Sequence, residues 1–130
     1  MHMKSTLIIL SDDLIFWNLF TSLLSRNSLG IQIHVCSTYQ EIDNNIEDTT
    51  CNLIHLDGGL SRLSSIEIIQ YIRKSKKIIS PIWFFPEILS DEYIHKALKI
   101  GVNRIIHKPF DPYQVTKEIE TTLSKTIFIT

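Results

Sequence analysis

Apolar runs in this chain end on side chains that do chemistry. Asn52-Leu53-Ile54-His55-Leu56 stops on Asp57, which Gly58 and Gly59 follow, and Leu7-Ile8-Ile9-Leu10 is followed by Ser11, Asp12 and Asp13. Pro81-Ile82-Trp83-Phe84-Phe85 stops on Pro86, and Ile105-Ile106 precedes His107 and Lys108. If each run is a strand of one open doubly wound sheet, its carboxyl end faces the crevice where such folds bind ligands, and these residues meet there. Carboxylates around one crevice repel unless a proton or cation intervenes, and a hard oxygen site of this kind suits Mg²⁺, which keeps several waters. Lys108 adds a mobile positive charge suited to phosphate oxygens. The glycine pair lets the backbone approach a metal and leaves its carbonyls unobstructed. Such a set is equipped to place a phosphoryl group on Asp57.

The elements that must position these residues are legible as alternating short apolar runs and longer segments of helical period, the pattern of βα units feeding a parallel sheet. Leu7–Leu10 reads as the first strand, and Ile15, Leu19 and Leu23 with Phe16, Phe20 and Leu24 form the apolar stripe of a first helix. Ile31–Val35 is a second strand, and Thr38-Tyr39-Gln40-Glu41 is a capping box that opens a short, exposed helix. Leu53–Leu56 is strand three; Ser64-Ser65-Ile66-Glu67 opens a helix carrying Ile68, Ile69 and Ile72, with Arg73, Lys74, Lys76 and Lys77 crowding its end, where the dipole favours them. Pro81–Phe85 is strand four, Ser90 caps a helix running to Ile100, and Gly101 stands where a left-handed residue is needed. After a fifth strand at Ile105-Ile106, Asp111-Pro112 starts a helix expected to end near Ser124.

At 130 residues the chain is long enough for one domain with a real core, and 44% hydrophobic with 21% charged residues is an ordinary globular composition. With 13 basic and 14 acidic side chains spread along its length, it has no strong field for a phosphate backbone, which argues against direct nucleic-acid binding. Its apolar runs are too short for a signal peptide or a membrane span, so it reads as soluble and cytoplasmic. Cys36 and Cys51 lack metal-site spacing and read as reduced, buried thiols. His55 reads as a core or cleft-lining histidine turned away from Asp57, and His34, His95 and His107 form no cluster. Residues 1–4 are expected to be a tag or extension, 5–124 the domain, and 125–130 a tail or linker, with no effector domain in the chain.

These residues resemble the receiver domain of bacterial two-component response regulators, and the resemblance covers essentially the whole chain. Its most specific motif is Lys108-Pro109-Phe110 before a capped helix. The resemblance implies a flavodoxin-like α/β fold with a five-stranded parallel sheet in the order 2-1-3-4-5. It implies Asp57 as phosphoacceptor for a sensor histidine kinase or phosphotransfer protein, and Mg²⁺ held by Asp12, Asp57 and the Gly59 carbonyl. It implies Lys108 as phosphate contact, a cis Lys108–Pro109 peptide, and a face of the fourth helix, fifth strand and fifth helix for a homodimer or an effector.

Several positions depart from the family pattern. Ser11 and Asp12 fall at the acid pair, so a hydroxyl replaces one acid; Asp13 follows, either as a compensating carboxylate or as a helix cap. Pro86 stands where the family keeps a Ser or Thr that bonds the phosphoryl group, and Ile105 where an aromatic ring reorients. Ser61 and Ser65 replace a usual proline and glycine. The alternative reading is therefore a degenerate receiver serving as a phosphorylation-independent interaction module. An enzyme of the haloacid-dehalogenase type is disfavoured, since its second aspartate would fall at Gly59.

Overall fold

In the computed structural model, residues 5–25, 30–46, 53–60 and 64–128 are described. The alternating pattern folds as β1 (Thr6–Leu10), α1 (Leu14–Ser25), β2 (Gln32–Cys36), α2 (Tyr39–Asn45), β3 (Leu53–Asp57), α3 (Ser65–Gln70), β4 (Ile82–Phe85), α4 (Asp91–Ile100), β5 (Arg104–Ile105) and α5 (Pro112–Phe128). The strands form one parallel sheet in the order β2-β1-β3-β4-β5, the order the resemblance implied.

Because side chains alternate across a strand, β1, β3 and β4 divide their apolar residues between two layers. Ile8, Leu10, Ile54, Leu56, Ile82 and Phe84 pack with Ile42 of α2, Ile68 and Ile69 of α3, and Ala97 of α4. Leu7, Ile9, Leu53, Trp83 and Phe85 pack with Phe20 and Leu24 of α1 and with Val115, Ile119 and Leu123 of α5. With both faces covered, the central strands are mostly apolar, His55 and Asp57 of β3 being the exceptions that matter below.

The capping signals act as read. Thr38, Ser64 and Ser90 each accept a backbone N–H three residues on, and Gly101 closes α4 at φ 130°. The Asp111 carboxylate accepts the Tyr113 N–H at the start of α5. Several expectations need correction. The apolar stripe of α1 is only half buried: Ile15 is 85% and Leu19 46% exposed, because the sheet meets the side of the helix that carries Phe20 and Leu24. β5 is Arg104–Ile105, one residue earlier than the apolar pair suggested. α5 continues to Phe128, since nothing between Ser124 and Phe128 breaks a helix, so most of the expected tail is helical. Cys36 is buried, whereas Cys51 and Ser61 lie outside the described residues.

The basic cluster after α3 does more than complement a dipole. The helix runs on through a π-helical turn, Tyr71–Ser75. From it Arg73 donates to the carbonyls of Gly101 (2.9 and 3.1 Å) and Ile78 (2.6 Å) and to Asn103 Oδ1 (2.9 Å). Asn103 Oδ1 also accepts the Ile82 N–H at 2.8 Å. This guanidinium therefore ties α3, the start of β4 and the end of α4 together. No helix among the described residues is long and apolar enough to cross a membrane.

Candidate functional site

Parallel pairing of β1 with β3 sets Leu10 beside Leu56, so Ser11 emerges next to Asp57. Ser11 is buried, and its Oγ donates to Asp57 Oδ2 at 2.8 Å across 46 residues of sequence. On the other side β5 leads into Lys108, whose Nζ donates to Asp57 Oδ1 at 2.7 Å. Gly59 N–H donates to the same oxygen at 3.1 Å. Asp57 itself is 1% exposed. A polar side chain so deeply placed needs hydrogen-bond partners, and these donors supply them.

Gly58 is required by a close approach. Its N–H donates to the Phe85 carbonyl at 2.9 Å, and an added Cβ would lie 2.8 Å from that oxygen and 2.9 Å from the Glu87 nitrogen. The turn after Asp57 thus rests on the loop after β4.

Asp12 follows Ser11 and is exposed. The Asp13 carboxylate caps α1, accepting the Ile15 and Phe16 N–H groups at 3.1 Å each, which is the second of the two roles anticipated for it. Pro86 closes β4 and is buried, and Ile105 is half-buried against the layer that contains Phe84. The Lys108–Pro109 peptide is cis.

Sequence reasoning missed Glu87. Its Oε1 accepts from Lys108 Nζ at 2.6 Å, so one ammonium bridges the carboxylates of Asp57 and Glu87. Partial burial alone pulls the Lys108 pKa down; its hydrogen bonds and charge contacts with Asp57 and Glu87 outweigh that and raise it, keeping the ammonium charged. The available signal was that Glu87 is the first acid after β4, two residues beyond the strand end.

His55 also needs correction. Residues two apart on a strand share a face, so it does not turn away from Asp57 but toward the same α1 and α5 layer. Its ring is fully buried, stacked on Phe85 at 3.9 Å and edge-on to Phe20 at 4.9 Å. Burial, and secondarily the charge of Lys108, push its pKa down to about 3, so it is neutral at pH 7.

The groups that could serve a metal here are oxygens: the Asp57 carboxylate, the exposed Asp12 carboxylate one residue after Ser11, and the carbonyl of Gly59, a residue with no side chain to obstruct it. This suits Mg²⁺, which needs one or two carboxylates and otherwise keeps its waters. It does not need the larger cluster of metal-binding side chains that is absent among the described residues.

Comparison with known proteins agrees with this geometry. The response regulator receiver domain model matches residues 7–120. A search of curated proteins found no match. Among solved structures, a two-component response regulator from Clostridium difficile is 21% identical, covering 94% of this chain and 98% of that one, with a TM-score of 0.78. A CheY-like response regulator receiver domain protein from Methanospirillum hungatei JF-1 is 20% identical over 97% of this chain and 98% of its own, also at 0.78. The chemotaxis response regulator CheY4 of Vibrio cholerae is 16% identical over 92% and 99%, at 0.74. Since the family match runs from β1 into α5, over the strand ends that bring Asp57 and Lys108 together, the chain belongs to the response regulator receiver domain family.

Proposed function

We propose that this domain accepts a phosphoryl group on Asp57 from the phosphohistidine of a sensor histidine kinase or phosphotransfer protein, as a cytoplasmic step in two-component signal transduction. The observation that carries the reading is the 2.7 Å contact between Lys108 Nζ and Asp57 Oδ1, made across 51 residues of sequence. An Asp57 oxygen attacks phosphorus in line; the P–N bond breaks, its electron pair stays on the donor imidazole, and an aspartyl phosphate forms.

Lys108 neutralises charge on the phosphoryl oxygens, while the Ser11 hydroxyl and the Gly59 N–H orient the carboxylate. Receiver domains generally bind Mg²⁺ at their acidic pocket. Here Asp12, Asp57 and the Gly59 carbonyl would hold it, and when bound it supplies further charge stabilisation. The domain is thus the acceptor in a transfer, not an enzyme with a separate substrate.

Incubation with Mg²⁺ and acetyl phosphate, followed by intact-mass measurement, is expected to add one phosphoryl group to the wild type and none to Asp57→Asn. No gain in the wild type, or equal gain in the variant, overturns the reading.

Ser11, Pro86 and Ile105 favour a second reading, in which a degenerate receiver binds its partner through α4, β5 and α5 whatever the state of Asp57. Pro86 has neither a hydroxyl nor an N–H, and Ile105 has no polar atom in its side chain. Signalling in cells that survives Asp57→Asn would decide for this second reading.

A further inference from the structure

Lys108 holds two carboxylates that differ in what holds them. Asp57 lies at the end of a central strand with its side chain 2% exposed, whereas the Glu87 side chain is 54% exposed on the loop between β4 and α4. Glu87 also covers the turn after Asp57: a Cβ added at Gly59 would lie 3.0 Å from Glu87 Oε1 and 3.5 Å from Asp57 Oδ1. The space a phosphoryl group on Asp57 must enter is therefore bordered by a second carboxylate of the chain itself. Pro86 offers that group neither hydroxyl nor N–H, so any response of the loop must come from another residue.

We propose that Glu87 is the phosphorylation sensor of this chain: its carboxylate occupies Lys108 in the unmodified protein, and phosphoryl oxygens on Asp57 displace it into solvent. The inference rests on the phosphoacceptor reading of Asp57. A phosphoryl group brings about two negative charges where the carboxylate had one, and it carries strong acceptor oxygens for the same ammonium. Like charges that share one ammonium repel, and the exposed partner leaves at the smaller desolvation cost. Lys108 thus exchanges one anion for another, and the two states differ in a named contact, as any ligand-driven shift requires.

The displaced carboxylate carries its loop with it. Ile88 and Leu89, 52% and 59% exposed, follow directly, and Ser90 caps α4 by accepting the Tyr93 N–H at 3.2 Å. Release of Glu87 therefore changes the presentation of two apolar side chains at the N-terminus of α4. Glu87 acts through Lys108 and is a positioning residue.

The test is hydrogen exchange of residues 87–90 in the full chain, with and without Mg²⁺ and acetyl phosphate, alongside intact mass on the same samples. Wild-type exchange in this loop is expected to rise about tenfold on phosphorylation. Glu87→Gln keeps an acceptor for Lys108 but has no charge to be repelled, so its change is expected to stay below about twofold. Glu87→Ala is expected to exchange rapidly in both states. A phosphorylated wild type whose loop does not respond, or a Glu87→Gln that responds as the wild type does, overturns the proposal and leaves the acceptor reading standing. No phosphoryl mass in the wild type overturns both.

Discussion

The carboxylate of Asp57 is held by donors of unequal kinds: an ammonium and a backbone N–H on Oδ1, and the Ser11 hydroxyl on Oδ2. Ser11→Ala removes the hydroxyl and leaves Oδ2 buried without that donor, which costs about 1–3 kcal/mol. A urea titration is expected to show this loss, together with slower phosphorylation by acetyl phosphate; unchanged stability would mean water replaces the hydroxyl.

His55 allows a pH prediction. Its folded pKa is about 3 against an ordinary 6.5, so the unfolded chain takes up a proton that the folded ring refuses. Stability contributed by the neutral ring is present above pH 6.5 and falls as pH drops from 6.5 toward about 3, by up to about 1.4 kcal/mol per unit. Between pH 7 and pH 5 the wild type should lose about 2 kcal/mol more than His55→Phe, read from urea midpoints. Equal losses would remove His55 as the source. That Asp57 and Lys108 would meet was legible from the strand ends, but the Ser11 donor on Asp57 Oδ2 was not, because a hydrogen-bond partner 46 residues away is chosen by strand pairing.

Among the elements, caps and strand ends were legible because they rest on local chemistry: Thr38, Ser64, Ser90 and Asp111 bond backbone groups within a few residues. The role of Arg73 was not legible. Its position suggested a dipole contact, while the carbonyls of Gly101 and Ile78 that it binds are set by the packing of α3 against α4. At Gly101 an added Cβ would lie 2.8 Å from Arg73 Cγ on a backbone with φ 130°. Gly101→Ala is therefore expected to cost about 1–3 kcal/mol, from positive φ and from the displaced guanidinium. Thermal denaturation of Gly101→Ala against Arg73→Ala and the double variant checks this. If the two losses simply add, the glycine is not serving the clamp.

At the scale of the whole molecule, both apolar layers lie on one sheet, so neither folds without the other. Ile68→Ala on one face and Ile119→Ala on the other are each expected to cost about 2–5 kcal/mol. Each should also shift a single transition in which tryptophan fluorescence and far-UV circular dichroism coincide. Trp83 reports directly on only one layer, so separated transitions for Ile68→Ala would contradict a single cooperative unit.

The sequence by itself determined the βα order, the helix caps and, β5 apart, which residues end the strands, because alternation and capping are local physics. It also brought Asp57 and Lys108 under suspicion, since the carboxyl ends of parallel strands share one edge whatever the loops do. Only the tertiary structure decided that Ser11 donates to Asp57, that His55 joins the aromatic layer, and that Glu87 reaches Lys108. These contacts depend on sheet register and on the path of the loop after β4, which no spacing in the chain encodes.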